Sequence, residues 1–434
     1  MTAVAADAPV DATELQPKRD GMFRSLRVRN YRLYASGQLV SLTGTWMQRV
    51  AQDWLVLELT NSGSALGLVT ALQFGPSLLL GLWGGVLADR YDKRRLLFIT
   101  QTGLALVALL LGLLDVAGVV QYWHVLVLAG TLGLISSIDT PTRQSFVVEM
   151  VGRDELTNAV AINSTIFNTG RILGPAVAGV MISAVGTGWA FIANALSSVA
   201  VLIGLWMMRP GELHPAPHIA RARGQLRAGL RYVRGRSDLM LTMALVFVIG
   251  TFGLNFQITT ALLAKQVFHR SASGYGLLST VFAVGACAGA VFATRRVRRP
   301  TQLFLIGAAL AFSVLEIVCG TMPSFDTTAL LLVPTGLLMI TFTTAANAAV
   351  QLGVEPTMRG RVMALYLVFF MGGTPIGAPL IGWIAGAFGA RWGLIGGGLI
   401  CLVVTSGVAL ALAHRRGLST AYLSGRVARA AHLG

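Results

Sequence analysis

Long apolar runs alternate with short polar segments along almost the whole chain. Twelve of these runs reach the length at which an α-helix crosses the hydrocarbon core of a bilayer, about 20 residues. They lie at 34–57, 65–88, 96–117, 121–142, 157–185, 188–208, 238–264, 274–294, 302–321, 328–352, 362–387 and 391–413. The pattern therefore predicts an all-α membrane protein with twelve transmembrane helices, here called spans.

The composition supports the same class. Of the 434 residues, 54% are hydrophobic and 12% are charged, whereas soluble domains carry about 25% charged residues. A net charge of +16 could indicate a nucleic acid partner, but the basic residues form short clusters between apolar runs, not a continuous basic surface. We expect membrane lipids as partners and no nucleic acid.

The basic residues also predict the topology, because they concentrate on the cytoplasmic side of a membrane. If both termini are cytoplasmic, only five of the 34 Lys and Arg residues lie outside the cytoplasmic segments. Lys265, Arg270 and Arg391 lie in outer segments, and Arg49 and Arg171 lie within spans. We therefore predict a multi-pass protein of the cytoplasmic (inner) membrane with both termini cytoplasmic.

The longest internal polar segment divides the chain into two halves. The predicted organisation is a cytoplasmic tail at 1–32, a six-helix half at 33–208, a basic cytoplasmic linker at 209–237, a six-helix half at 238–413 and a tail at 414–434. In the linker, Leu226, Leu230 and Val233 recur at helical spacing among arginines. This spacing suits a helix lying on an anionic leaflet, and a solvated linker explains it equally well.

The two halves repeat. A shift of 203 residues superposes Gly170, Gly174, Gly179, Gly186 and Trp189 on Gly373, Gly377, Gly382, Gly389 and Trp392. The repeat predicts two pseudo-symmetric six-helix bundles, the architecture of an alternating-access transporter with its site between the halves. Glycines at this spacing also allow close helix packing, which explains part of the match without a transport role.

Span one carries one polar face, formed by Gln38, Ser41, Thr45, Gln48 and Gln52 at helical spacing. Such a face is costly against lipid, so we expect it to line a cavity for a small-molecule substrate. The second half offers further cavity-lining candidates, namely Asn255, Gln257, Thr343, Asn347, Tyr366 and Thr374.

Two charged pairs at helical i, i+4 spacing are candidates for coupling or gating. Arg49 and Asp53 lie about 22 and 28 Å along span one, in the outer part of the membrane. Asp139 and Arg143 lie at the inner end of span four. The pairs either stabilise closed gates in alternate states or are permanent structural ion pairs. Glu316 of span nine is an isolated carboxyl that is either protonated and packed or in contact with a neighbouring helix.

Nothing in the sequence indicates an enzyme, a cofactor or a metal site. Cys287, Cys319 and Cys401 lie within apolar runs, the six histidines are scattered, and no phosphate-binding loop is present. An active transporter without a nucleotide-binding domain has to draw on an ion gradient, and we expect protons.

The segment "GGVLADRYDKRR" between spans two and three resembles the loop signature of the major facilitator superfamily. The residues that match the signature are Gly85, Asp89, Arg90, Lys93 and Arg94. The resemblance implies that this loop latches the inner face of the first half against span eleven, with basic residues pairing across the halves. Asp92 replaces the usual glycine, a change that a left-handed turn residue accommodates. The basic residues alone would also satisfy the topology without any latch.

Further segments resemble the superfamily's exporters. An exporter motif of span five is resembled by Gly170, Gly174, Pro175 and Gly179. Because proline bends a helix, this motif either makes span five pliable or serves only for helix packing, and the two interpretations are equally plausible. The segments "SIDTPTRQSF", "EPTMRGRVMAL" and "LELTNSGSALGL" resemble the branch that contains enterobactin exporters and macrolide-type efflux proteins.

This resemblance implies a monomeric secondary transporter with the major facilitator fold. It favours proton-coupled export of a siderophore-like, antibiotic or other amphipathic compound. In that fold spans one and five are neighbours, so we expect Asp53 to lie between the guanidinium groups of Arg49 and Arg171. A facilitator or uptake transporter of the same fold, or a non-transporting receptor, remains an alternative.

Overall fold

A computed structural model describes residue 21 and residues 23–214, 225–295 and 299–415. Within these ranges the chain is helical and contains no strand. Three parts of the predicted polar segments lie outside the described residues: 1–20 of the first tail, 215–224 of the linker and 416–434 of the second tail.

Six long helices form the first half: α1 (Arg29–Thr60), α2 (Gly63–Arg90), α3 (Lys93–Val116), α4 (Tyr122–Val151), α5 (Leu156–Val185) and α6 (Thr187–Trp206). A short helix, α7 (Gln225–Arg234), follows in the linker. The second half contains α8 (Ser237–Val248), α9 (Phe256–Leu262), α10 (Ala272–Thr294), α11 (Gln302–Thr321), α12 (Phe325–Gly353), α13 (Pro356–Phe388) and α14 (Arg391–Arg415). Helices α8 and α9 together form span seven.

Eleven helical segments of the described chain are long and apolar enough to cross a membrane. The remaining span is α1, which has 32 residues and carries the polar face that lowers its mean hydropathy. The predicted fold class, an all-α membrane protein of twelve spans, is confirmed. We call the end of the bundle with the α2–α3 loop the basic end, and the other the opposite end.

Span four is longer than its apolar run predicts. The run ends near residue 142, just after Pro141, yet α4 continues to Val151. Beyond the proline the helix buries Phe146 and Met150, and the Phe146 ring packs edge-on against Tyr34 of α1 at 6.4 Å. The buried face stabilises the extension, and proline costs only the local backbone hydrogen bond.

Span seven is interrupted where the sequence predicts a continuous helix. A π-helical turn at Ile249–Gly253 separates α8 from α9, and a second one at Leu263–Val267 ends the span. Asn255 lies at the first interruption and its Nδ2 donates to the Thr251 carbonyl at 2.7 Å. A side-chain amide thus satisfies a backbone group that the irregular helix leaves free inside the membrane.

The repeated glycines make equivalent contacts in the two halves. A Cβ at Gly174 of α5 would lie 2.9 Å from the Thr43 carbonyl oxygen of α1, and a Cβ at Gly377 of α13 would come still closer to the Thr251 carbonyl oxygen of span seven. A Cβ at Gly179 of α5 would lie 3.0 Å from Ser273 Cα of α10, whereas Gly382 of α13 packs on α2. Helices α5 and α13 therefore each pack on the first span of their own half and on a helix of the other half, and the halves meet along α2–α13 and α5–α10.

Candidate substrate cavity and interface between the halves

The larger cavity, of about 660 Å³, lies mainly within the first half. The predicted polar residues Gln38, Thr45 and Gln48 line it, together with Arg49. It extends toward the basic end, where Val160 is 56% exposed on its wall. A polar, water-accessible space of this size accounts for the polar face of α1.

Hydrogen bonds hold the polar face of α1 against the neighbouring helices. Asn194 of α6 donates to Gln48 Oε1. Gln52, another predicted cavity residue, is buried beside Gln73 of α2 and donates to Gln73 Oε1 at 3.2 Å, so it lines neither of the two cavities. Asn194 and Gln73 are isolated polar residues in apolar runs, a signal that the sequence analysis missed.

A smaller cavity, of about 250 Å³, lies between the halves, and its walls are mainly apolar or aromatic. The first half contributes Trp46, Phe74 and Arg171, and the second half contributes Phe256, Tyr275 and Phe282. Phe74 lines both cavities, so the two spaces share a wall. The predicted Gln257 and Thr374 also line the smaller cavity.

Three residues predicted to line the cavity have other surroundings in the structure. Asn255 binds the backbone of span seven, Gln351 donates to Asn347 Oδ1 at 2.7 Å, and Tyr366 donates to the Thr343 carbonyl at 3.3 Å. None of the three lines either cavity. The interruption in span seven and the orientation of α12 and α13 decide which polar residues face the cavity, and helical periodicity alone does not reveal them.

Asp53 forms a hydrogen bond with the second half of the protein and no ion pair with an arginine of the described chain. Its carboxylate is 6% exposed and accepts a hydrogen bond of 2.7 Å from the hydroxyl of Tyr275 in α10. Within the described ranges neither Arg49 nor Arg171 forms an ion pair with it, so the expected position of Asp53 between two guanidinium groups is not what the structure has. Tyr275 lies 222 residues from Asp53 in sequence, and only the packing of α1 near α10 brings them together.

Both arginines lie on aromatic rings. The guanidinium carbon of Arg49 is 4.6 Å from the centre of the Trp46 ring and 5.5 Å from that of Phe74. That of Arg171 is 5.8 Å from the Phe282 ring centre. The Nε of Arg49 is buried and has no hydrogen-bond partner. Cation–π attraction offsets part of the cost of these charges and explains why the side chains turn from Asp53.

The halves are joined at the opposite end. Lys265, at the end of span seven, donates from Nζ to the Leu57 carbonyl of α1 at 2.5 Å. Gln266 donates to the Asn61 carbonyl at 2.9 Å. These contacts and the packing of α13 on α2 close the opposite end, while the larger cavity extends to the basic end.

Asp139 and Arg143 form the ion pair that their spacing predicts. Asp139 is 1% exposed, and its Oδ1 also accepts from Thr100 Oγ1 and Gln101 Nε2 of α3, each at 2.8 Å. Arg143 in addition donates to Gln38 Oε1 at 3.2 Å. All these partners belong to the first half, so the cluster holds α1, α3 and α4 together.

The α2–α3 loop is held by contacts within the first half. Lys93 pairs with Glu149 of α4 at 2.6 Å, and Arg94 donates to the Leu205 and Trp206 carbonyls of α6 at 2.7 and 2.9 Å. In this conformation these two residues do not pair across the halves as expected. Of the other signature residues, Gly85 is buried, and Asp89 and Arg90 end α2.

Asp92 does not take the left-handed geometry that we expected at the glycine position. Its φ is −57°, and its side chain caps α3 by accepting from the Arg95 N–H at 2.7 Å. A helix N-cap favours aspartate, and this preference explains the substitution.

Glu316 of α11 is an isolated carboxyl within the second half. It is 2% exposed, and its Oε2 has no hydrogen-bond partner in the part of the chain that the structure describes. It packs against Gly253 at the interruption of span seven and against Gly397 of α14.

The chain matches, over residues 14–421, a family model described as transmembrane secretion effector. The staphyloferrin A transporter of Staphylococcus aureus is 26% identical over 393 residues, covering 86% of this chain and 94% of that protein. The enterobactin exporter EntS of Escherichia coli is 24% identical over 388 residues, covering 86% and 91%. Among solved structures, a bacterial homolog of the human lysosomal transporter Spinster has the same fold, with a TM-score of 0.71 at 16% identity over 87% of this chain and 96% of that one.

Proposed function

The chain belongs to the transmembrane secretion effector family of the major facilitator superfamily, and from that premise we propose that it exports a small organic molecule by proton-coupled alternating access. It is a membrane transporter and not an enzyme. The names of the curated relatives favour a siderophore-like substrate over the antibiotic or other amphipathic compound that the sequence leaves open.

The hydrogen bond between Asp53 and Tyr275 carries the proposal of proton coupling. It is a carboxylate contact that joins α1 to α10 across the halves, near the end where they are closed. The two residues have to separate when the opposite end opens, and the carboxylate then meets the solution on that side. A proton taken up there and released after closure would link the gradient to the conformational cycle.

The topology supports the proposed direction of transport. The positive-inside rule makes the basic end cytoplasmic, so the larger cavity receives substrate from the cytoplasm. We propose a location in the cytoplasmic membrane, both termini in the cytoplasm, a monomeric transporter and contacts with membrane lipids. The α2–α3 loop acts as the inner latch in the state closed at the basic end, and the span-five glycines serve as packing positions between helices.

The test has two stages. A pump-deficient host that expresses the protein is screened with siderophores, macrolides and dyes, and the best substrate is then offered to everted vesicles. Export predicts accumulation in the vesicles driven by a pH gradient, together with substrate-dependent proton flux. Substrate movement that only follows its own gradient would identify a facilitator, and binding without flux in liposomes would identify a receptor.

A further inference from the structure

Arg49 and Arg171 are cations that line the two cavities and have no anion in direct contact among the described residues. Across the described chain neither forms an ion pair, and the buried Nε of Arg49 has no partner. Asp53, four residues from Arg49, is bound by Tyr275. A guanidinium group held in the membrane without a direct ion pair is costly, and functional sites are where such groups persist.

The two arginines line two cavities that share a wall. Arg49 lines the larger cavity and Arg171 lines the smaller one, and Phe74, which Arg49 contacts, lines both. Trp46, the other ring under Arg49, also lines the smaller cavity. The other walls of the smaller cavity are mainly apolar or aromatic. An anion at the shared wall would therefore find Arg171 on one side and Arg49 on the other as its strongest donors.

We propose that Arg49 and Arg171 bind an anionic group of the substrate, so that the exported molecule carries a carboxylate or a similar delocalised anion beside a flat apolar body. A planar guanidinium donates two parallel hydrogen bonds to such a group, and aromatic walls pack on the apolar body. The inference deepens the proposed export function, on which it rests, because it assigns the charge class of the substrate.

The test uses three probes of one size, namely 1-naphthoate, neutral 1-naphthalenemethanol and cationic 1-naphthylmethylammonium. Each is titrated by calorimetry into the full-length protein in lipid nanodiscs. We expect 1-naphthoate to bind about tenfold or more tightly than the alcohol, with the ammonium weakest. Equal affinities for the three probes, or no binding of 1-naphthoate, would overturn the proposal.

Variants then assign the preference to the arginines. Arg49→Gln and Arg171→Gln should each weaken 1-naphthoate binding about tenfold. Both variants should bind the alcohol as the parent does, and this binding also shows that they are folded. Arg171→Lys should retain part of the preference for 1-naphthoate over the alcohol, since lysine keeps the positive charge but cannot donate two parallel hydrogen bonds. Arg270→Gln is the matched control, because Arg270 also lies over a phenylalanine ring, at 5.1 Å from the centre of Phe325, but is exposed outside both cavities. Retention of the full preference in both Gln variants would overturn the assignment.

The outcome separates this inference from the export function. Anion-selective binding without export in everted vesicles supports the inference and overturns the proposed export. Export of neutral or cationic compounds with no anion preference overturns the inference and leaves export standing.

Discussion

The hydroxyl of Tyr275 in α10 donates a hydrogen bond of 2.7 Å to Oδ2 of Asp53 in α1. The Tyr275 ring also stacks near Trp54, with ring centres 6.4 Å apart. Both contacts lie between the halves, and Tyr275 is fully buried. The chemistry of this carboxylate is therefore tied to the closure of the opposite end.

Asp53→Asn should separate export from the pH gradient. Asparagine keeps the size and an acceptor oxygen for Tyr275, so closure persists, but the side chain no longer binds and releases a proton. We expect the variant to lose most of the gradient-driven accumulation in everted vesicles and to retain substrate binding. Gradient-driven accumulation and proton flux equal to those of the parent would exclude a coupling role for Asp53.

Asp115→Asn is the matched control for this measurement. Asp115 is an aspartate at the end of α3 that accepts from Thr187 Oγ1 at 2.5 Å within the first half. It makes no hydrogen bond across the halves, so its replacement should leave coupling unchanged.

Lys265→Met should open the opposite end more often. The substitution keeps a long unbranched side chain but removes the hydrogen bond to the Leu57 carbonyl. It also removes the contact of the ammonium group with the Trp54 ring, whose centre lies 5.7 Å from Nζ. A charged hydrogen bond contributes about 1.5–3 kcal/mol, so the ratio of open to closed molecules should rise about tenfold or more. Pulsed electron paramagnetic resonance between spin labels at Leu59→Cys and Ser271→Cys, in a chain freed of its native cysteines, measures that ratio.

The control is a second variant measured with the same pair of spin labels. Arg270→Gln removes a nearby exposed cation whose ring contact, with Phe325, lies within the second half. Its distance distribution should match that of the parent, and an unchanged distribution in Lys265→Met would contradict the role of Lys265 in closure.

The sequence predicts the helices well because the length of apolar runs is set by the bilayer. It fails where tertiary contacts decide: Phe146 and Met150 prolong α4 past Pro141, and Asn255 stabilises the interruption of span seven. The superfamily predicted from the loop signature is confirmed by the family match.

The candidate site is less accessible to sequence reasoning. The spacing of Arg49 and Asp53 permits an ion pair, but the aromatic rings around Arg49 and the hydroxyl of Tyr275 give each side chain another partner. These partners come from helices remote in sequence, and no periodicity within span one encodes them.

Asp139→Asn should reduce stability, because Asp139 is a structural member of the first half. The substitution removes the charge that Arg143 binds and disturbs the bonds from Thr100 and Gln101. Arg143 retains some contact with the cavity, so we expect a loss of about 2 kcal/mol in the free energy of unfolding, below the range for a fully buried pair. Chemical unfolding in detergent measures it.

Glu212→Gln provides the comparison, because Glu212 pairs with Arg209 at 3.0 Å and both side chains are exposed. An exposed pair contributes about 0–1 kcal/mol. If Asp139→Asn is as stable as the parent and changes only the conformational equilibrium, the pair acts as a gate.

Gly382→Ala and Gly386→Ala test whether close packing of α13 on α2 closes the opposite end. The two positions are one helical turn apart, and each substitution gains the same helix propensity, about 1 kcal/mol. At Gly382 the new Cβ would collide with the Gly63 carbonyl of α2, whereas at Gly386 it would meet only Ser64 Oγ at an ordinary 3.5 Å. Gly382→Ala should therefore destabilise the state closed at the opposite end by about 1–3 kcal/mol. We expect a longer distance between the labels at positions 59 and 271 and slower export. Gly386→Ala should leave both the distance and the export rate unchanged. Equal distances and equal export rates in the two variants would mean that α2 and α13 adapt to an added methyl group. The hydrogen bonds of Lys265, Gln266 and Tyr275 would then hold the opposite end closed.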